Sequence, residues 1–271
     1  MTTRPTVRAA NALIASGHHL ATAAGLAALR DGGSAADAAV AAAAVCAVVM
    51  PHRTAIGGDV FALVYDTRTR EVTAYNGSGA APHALDHERF GDAFPDHGAA
   101  IATVPGLIAG LADLAVDHGR LGLDRALAPA IAYAEDGFPV SDVLAAATAE
   151  EGDRLAGDEE AVRVFGPRGR WPRAGEMLQQ PDLATTLRAI ARDGAEAFYR
   201  GELGERFATA IASIDGLIDR ADLAAHRTDR PEPLAVDYRG LRVFGQPGFG
   251  QRVVGRSPPE REVEGRALAG G

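Results

Sequence analysis

Few residues in this chain are of a type and spacing that could do chemistry. Two histidine pairs come first, His18-His19, and His83 with His87 across a short loop containing Leu85 and Asp86. A protein metal site needs at least three to four ligands, and neither pair has a third nearby, so no metal site is read here. The single cysteine, Cys46, sits inside a run of alanine and valine. It cannot form an internal disulfide and reads as a buried, inert thiol. Thr185-Thr186 falls within an apolar helical pattern and is followed by Leu187, so it reads as structural. The most strongly turn-forming segment is Asn76-Gly77-Ser78-Gly79-Ala80-Ala81-Pro82.

The elements that must position these residues are organised around Asp31 to Asp66. Gly32-Gly33 can close a preceding helix, because glycine takes the left-handed position after a helix without steric cost. Ser34 and Asp37 have capping-box spacing. From Ala35 to Val49 every residue but Asp37 is apolar, which predicts a buried helix. At about 15 residues it is too short to cross a bilayer, which takes about 20. Pro51 ends it, Gly57-Gly58 marks a turn, and Val60 to Tyr65 predicts a buried strand. Thr67 to Arg70 reads as a hairpin turn and Glu71 to Tyr75 as the returning strand.

Before this unit, Val7 to Ser16 predicts a short strand, and His19 to Arg30 a helix with Leu20, Ala24, Ala27 and Ala28 on one face. After it, residues 83–99 are polar and irregular. Helices are predicted over Leu107 to His118 with Gly119 as C′ cap, Ala126 to Asp136, Ser141 to about Leu155, Pro181 to Asp193, and most of Glu196 to Ile214. Trp171 to Leu178 reads as a loop, Leu217 to His226 as short and polar, and Val236 to Phe244 as strand, turn and strand. Strands flanked by helices fit a layered α/β or α+β architecture.

Composition narrows the function classes. Hydrophobic residues make up 47% and charged residues 23%, with a net charge of −9 and arginine supplying every basic side chain. No basic cluster suggests a phosphate backbone, so neither a nucleic-acid partner nor a membrane is expected. The first residues lack the basic start and unbroken apolar run of a signal peptide, so the expected location is cytoplasmic.

Several motifs in order resemble the gamma-glutamyltranspeptidase family. They are D-G-G-S-A-A-D-A-A-V-A at Asp31 to Ala41, P-H-x-x-x-I-G-G-x-x-F-x-L-V-Y-D at Pro51 to Asp66, and V-P-G-x-x-A-G-L at Val104 to Leu111. Further ones are L-A-P-A-I-x-x-A-E-x-G-F-P-V-S at Leu127 to Ser141, Q-P-D-L-A-x-T-L-R-x-I-A at Gln180 to Ala191, and G-x-x-A-F-Y-R-G-E at Gly194 to Glu202. The resemblance implies an N-terminal-nucleophile hydrolase of αββα (α+β) fold, here the large-chain part only and so incomplete. It divides the chain into a large-chain region, 1–244, and a divergent tail, 245–271, read as disordered from its Arg, Glu, Gly and Pro content. A frameshift near residue 247 is the expected origin of that tail.

The family hydrolyses or transfers the γ-glutamyl group of glutathione and related amides. The resemblance implies that the nucleophile is a threonine at the start of a small chain, whose own α-amine is the general base. It implies no metal and no organic cofactor. Partners are a γ-glutamyl small molecule and a small chain from the same precursor or a separate gene. No catalytic residue is assigned in these residues. Thr2, exposed if Met1 were removed, is set aside because a frayed terminus holds no preorganised oxyanion hole. The expectation is an incomplete or inactive fragment, with a non-enzymatic binding protein, or the large chain of a divergent acylase, as alternatives.

The family's carboxylate-binding arginine comes from the loop after the hairpin, as D-G-R-E-x-A-P or, in one branch, N-G-S-G-R-A-P. This chain reads N-G-S-G-A-A-P, so Ser78 and Ala80 occupy the two possible positions and neither supplies a guanidinium. Loss of a charge-assisted bond of about 1.5–3 kcal/mol weakens carboxylate binding by roughly ten- to a hundredfold. Asp59 is read as capping backbone near the turn, and His52 as making a structural hydrogen bond.

Overall fold

The computed structural model describes residues 6–90 and 95–247, with the side chains of His87 and Arg89 outside the description. The chain begins with α1 (His19–Arg30) and α2 (Ala35–Val49), then the antiparallel hairpin β1 (Val60–Asp66) and β2 (Glu71–Gly77). Next come α3 (His87–Phe90), a 3-10 turn at Ala99–Ile101, α4 (Leu107–His118) and α5 (Leu123–Asp136). The two-residue strand β3 (Phe138–Pro139) is followed by α6 (Asp142–Glu150), α7 (Gly152–Leu155) and α8 (Glu159–Phe165), and then by its antiparallel partner β4 (Met177–Leu178). The last part holds α9 (Pro181–Asp193), α10 (Glu196–Tyr199), α11 (Glu202–Ala212), α12 (Arg220–Ala225) and a second hairpin, β5 (Leu234–Tyr238) with β6 (Leu241–Gly245).

Helix α2 is the centre. Eleven of its fifteen residues are buried, and it packs on α1, α4 and α5. Its alanines permit this because small side chains bring backbones together. In α1 the buried stripe is Ala21, Ala24, Gly25 and Ala28, at the i, i+3, i+4, i+7 spacing of one helix face. A Cβ on Gly25 would lie 2.8 Å from the Ala38 carbonyl and 2.2 Å from the Ile14 Cδ1, so the α1–α2 contact requires glycine there. This corrects the expected face: Leu20 is only half-buried and Ala27 is exposed.

Helix α1 stops as the glycine pair requires. Gly32 has φ +86, the Gly33 N–H donates to Ala28 O at 2.9 Å and Gly32 N–H to Leu29 O at 3.3 Å, the paired bonds of a Schellman end. One residue on, Ser34 Oγ accepts from Asp37 N at 3.1 Å and Asp37 Oδ2 accepts from Ser34 N at 2.7 Å, completing the expected capping box. The Asp37 carboxylate does more. It also accepts from Arg120 N at 2.8 Å and Leu121 N at 3.2 Å, which ties the start of α2 to the turn between α4 and α5. Burial pushes its pKa up, but the amide donors of Ser34, Arg120 and Leu121 outweigh that and hold it below the ordinary aspartate value.

Other sequence expectations are corrected. Val7 to Ser16 forms no strand: it is mostly exposed chain without a ladder partner, and only Ile14 reaches the core. The run from Val60 to Tyr65 is buried on one face only. Val60, Ala62 and Val64 pack inward toward Tyr75, Leu107 and Leu111, whereas Phe61, Leu63 and Tyr65 are exposed. Gly119 has φ −76 rather than a left-handed conformation. Glycine is needed there for space, because a Cβ would lie 2.3 Å from Ala115 O and 2.7 Å from Asp37 Oδ1. The helix after Ser141 breaks at Glu151. The loop from Trp171 to Leu178 ends in β4, and Leu217 to His226 contains α12, capped by Asp219 and Asp222.

Replacing Asp37 with alanine is expected to cost about 2–4 kcal/mol, since it leaves the Arg120 and Leu121 amides unpaired as well as the cap. Urea unfolding of the two proteins measures it. Because the native carboxylate titrates below its unfolded value, its contribution is full above about pH 4 and is lost as pH falls through the native pKa. The Asp37→Asn variant is expected to lack that acid-dependent component.

Candidate functional site

The glycine-rich loop after β2 is held on three sides. Its first residues make an Asx turn, with Ser78 N donating to Asn76 Oδ1 at 3.0 Å. Gly79 N donates to Asp59 Oδ1 at 3.1 Å, so Asp59 caps the loop backbone. Val104 N donates to Ala80 O at 3.0 Å. A Cβ on Gly79 would lie 1.5 Å from Val104 O, and on Gly106 it would lie 1.9 Å from Gly77 O, so two segments pass at backbone contact. On the other side Asn76 and Asp229 exchange backbone bonds of 2.8 and 2.9 Å.

This framework encloses a cavity of about 240 Å³ lined by Ser78, Gly79, Ala80, His83, His226 and Arg227, among others. The two positions singled out in the sequence, Ser78 and Ala80, both line it. Asp222 also lines it and is 3% exposed. It accepts from His83 N at 2.9 Å and from Asp219 N at 3.0 Å, and it pairs with His83 Nδ1. Burial raises its pKa, but these donors prevail and hold it low. The His83 ring, by contrast, is exposed. His226 stacks on Tyr199 with ring centroids 5.0 Å apart, and burial pushes its pKa down. Its Nε2 is enclosed without a hydrogen-bond partner among the described residues. Tyr199 is itself anchored, donating to Pro105 O at 2.6 Å and accepting from Ala109 N at 3.2 Å.

The other sequence candidates lie elsewhere. His18 Nδ1 accepts from Leu20 N at 3.2 Å and stacks on His19, capping α1. His52 makes no hydrogen bond among the described residues, contrary to expectation. Both ring nitrogens are enclosed at a separate cavity bounded by Leu144, Thr148 and Phe165, because no polar group of α6 or α7 reaches them. Burial and then Arg53 lower its pKa. Cys46 is half-buried rather than fully enclosed, and burial raises its pKa. Thr185 and Thr186 donate to Pro181 O and Asp182 O, each at 3.0 Å. No group of three or more His, Cys, Asp or Glu among the described residues could hold a metal. Thr2 and the His87 side chain lie outside the described residues. Sequence reasoning missed the Asp222–His83 pair. The spacing of Asp219 and Asp222 was the available signal for α12, but no local pattern tells which loop its carboxylate meets.

In fold this is an α+β N-terminal-nucleophile hydrolase, the large-chain part. It superposes on the gamma-glutamyltranspeptidase of Helicobacter pylori with a TM-score of 0.86 and 30% identity, over 90% of this chain and 72% of that one. A sequence profile of gamma-glutamyltranspeptidase matches residues 21–256, and the chain belongs to that family. It is 37% identical over 246 residues to the glutathione hydrolase-like YwrD proenzyme of Bacillus subtilis, covering 90% of this chain and 47% of that protein. It is 40% identical over 230 residues to the oxamate amidohydrolase proenzyme of Klebsiella pneumoniae, covering 82% and 43%. The chain therefore spans less than half the length of these two relatives.

Gly79→Ala is expected to destabilise the protein by about 3 kcal/mol, at the upper end for overpacking, because backbone must move. Gly57→Ala, where a Cβ meets nothing within 4 Å, is expected to change stability by less than about 1 kcal/mol. Thermal melts of both variants compare them directly.

Proposed function

We propose that this chain is the large-chain part of an amide-cleaving acyl hydrolase or acyltransferase, and that the nucleophile comes from a small chain beginning with threonine. The observation that carries this reading is the open side of β1 beside the glycine loop. Leu63 and Tyr65 present a row of large apolar side chains to solvent, and Asp59, just before β1, holds the loop that walls the cavity. A small chain laid on that face would bury the row and bring its first residue toward the cavity. Three polar atoms, His226 Nε2, Thr228 Oγ1 and Gln246 Oε1, are enclosed without partners among the described residues. Each such atom costs about 1–3 kcal/mol when unpaired, which an arriving chain could recover.

The acyl group in this proposal is γ-glutamyl or a shorter carboxylate-bearing acyl, and the absence of arginine at Ser78 and Ala80 favours a divergent acylase. The name of the Klebsiella relative, oxamate amidohydrolase, supports that direction. Among the described residues no serine, threonine or cysteine side chain is hydrogen-bonded to a histidine ring or a carboxylate, which favours as second reading a protein that binds without turnover.

The 271-residue chain alone is expected to release no aniline from a γ-glutamyl anilide and no ammonia from oxamate. Adding a small chain with threonine first, taken from the YwrD-type relative, is expected to give turnover that a Thr→Ala version abolishes. Turnover by the 271 residues alone would overturn the proposal. No turnover on either substrate with the small chain bound would favour the binding-protein reading.

A further inference from the structure

Away from the glycine loop, two histidine rings hold three enclosed nitrogens that lack hydrogen-bond partners among the described residues. They are Nε2 of His18 and both nitrogens of His52. The rings belong to segments that meet where the chain entering α1 passes the end of α2. A Cβ on Gly17 would lie 3.4 Å from Met50 Cε, and the two rings act on each other electrostatically. His18 is 8% exposed. Its Nδ1 accepts from Leu20 N at 3.2 Å, so Nδ1 carries no proton and the neutral ring holds its single proton on Nε2. Charging the ring would place a proton on Nδ1, facing the Leu20 amide. The bond that caps α1 would be lost, and neither N–H of the imidazolium would have an acceptor.

His52 lies in the turn after α2, which closes through Arg53 N and Thr54 N on Met50 O at 2.8 and 3.1 Å. The charged and titratable groups beside the two rings oppose a proton on either. His19 stacks on His18, and Arg53 adjoins His52. Burial first, then His19 and His52, push the His18 pKa below its ordinary 6.5. The cavity of about 820 Å³ that His52 borders is also lined by Asp142, Glu150, Glu151 and Arg154. Glu151 pairs with Arg154, and none of the three carboxylates bonds to His52.

We propose that His18 and His52 form an acid-sensitive clasp, which holds the start of α1 against the turn after α2 while both rings are neutral and opens when they take up protons. The geometry works at both ends. A proton abolishes the acceptor bond of His18, and an imidazolium at His52 is enclosed with nothing to donate to. An opened ring regains water, and His52 can turn into the cavity that holds Asp142 and Glu150. The cost of staying closed therefore sets in below about pH 6.5 and grows until the closed ring itself titrates. At about pH 5 it raises the opening equilibrium by up to roughly thirtyfold per ring.

The test is amide hydrogen exchange of the 271-residue chain at about pH 7.5 and about pH 5, read by mass spectrometry of peptic fragments. Each rate is divided by the intrinsic rate at its pH, so that only opening is compared. Fragments covering residues 19–22 and 52–55 are expected to lose roughly tenfold in protection at the lower pH. A fragment from the middle of α2 is expected to lose none. His18→Asn keeps a capping oxygen without a titrating group and is expected to abolish the loss over 19–22. His52→Gln is expected to abolish the loss over 52–55. His19→Gln, at an exposed neighbour, is expected to leave both losses in place. Equal protection at the two pH values in wild type would overturn the proposal without any variant. So would a loss spread equally into α2, which is general unfolding, or a loss that survives in its own variant.

Discussion

A single buried carboxylate organises the centre of this molecule. Asp37 is the one charged residue in an otherwise apolar helix, and its exposure is 0%. An isolated buried charge is prohibitively costly, so the fold is obliged to bring donors to it. One is the Ser34 N–H of its own capping box, and two are the amides of residues 120 and 121. Those two amides set where α4 ends and α5 begins relative to α2. From that point α5 carries Leu127, Ala130 and Ala134 into the core, where α9 adds Ala184, Leu187 and Ile190. Gln180 then closes the layer by donating to Val48 O at 2.8 Å.

What Asp37 does for the helices, glycine does for the site. The loop carrying Ser78 and Ala80 meets the start of α4 at distances that no Cβ allows, at Gly79 against Val104 and at Gly106 against Gly77. Gly58 accepts from both Gly106 N and Leu107 N, at 3.0 and 2.7 Å, so the turn before β1 satisfies the first amides of α4, which have no partner within the helix. The cavity is thus built on backbone contacts, and side chains at Ser78 and Ala80 can change without moving its walls. That separation lets the side chains at 78 and 80 vary while the fold is retained.

Much of this could be read from residue types. Helices whose ends carry local chemistry, His19–Arg30 with its glycine pair, Ala35–Val49 with its capping box and Pro181–Asp193 with its leading proline, match their expected bounds. Their signals lie within a few residues of the boundary. The failures share a different cause. Val7 to Ser16 has strand-like composition but no neighbouring strand, and a strand is defined by its partner rather than by itself. Phe138 and Leu178 pair across about forty residues, which no local window can see. Asp222 and His83 are further apart still. The expected hydrogen bond of His52 failed because ring burial depends on α6, α7 and Phe165 arriving from a distant part of the chain.

The hairpin offers the most instructive mismatch between pattern and burial. A half-buried strand should alternate apolar and polar residues, yet Val60 to Tyr65 is apolar throughout. Continuous apolar runs belong to strands covered on both faces. Here Val60, Ala62 and Val64 meet α4 and β2, while Leu63 and Tyr65 lie open. The returning strand does not share the anomaly to the same degree, since Thr73 and Glu71 stand opposite Val64 and Asp66. The β5–β6 hairpin repeats it, with Leu234, Val236, Tyr238, Leu241 and Val243 all exposed. At about 25 cal/mol per Å² of apolar surface, leaving such rows in water forgoes several kcal/mol, a large part of a typical domain's net stability. Selection for residues of this kind is intelligible when a second layer covers them. The two hairpins, the enclosed unpaired atoms of residues 226 to 246, and the cavity beside them mark where that layer would lie.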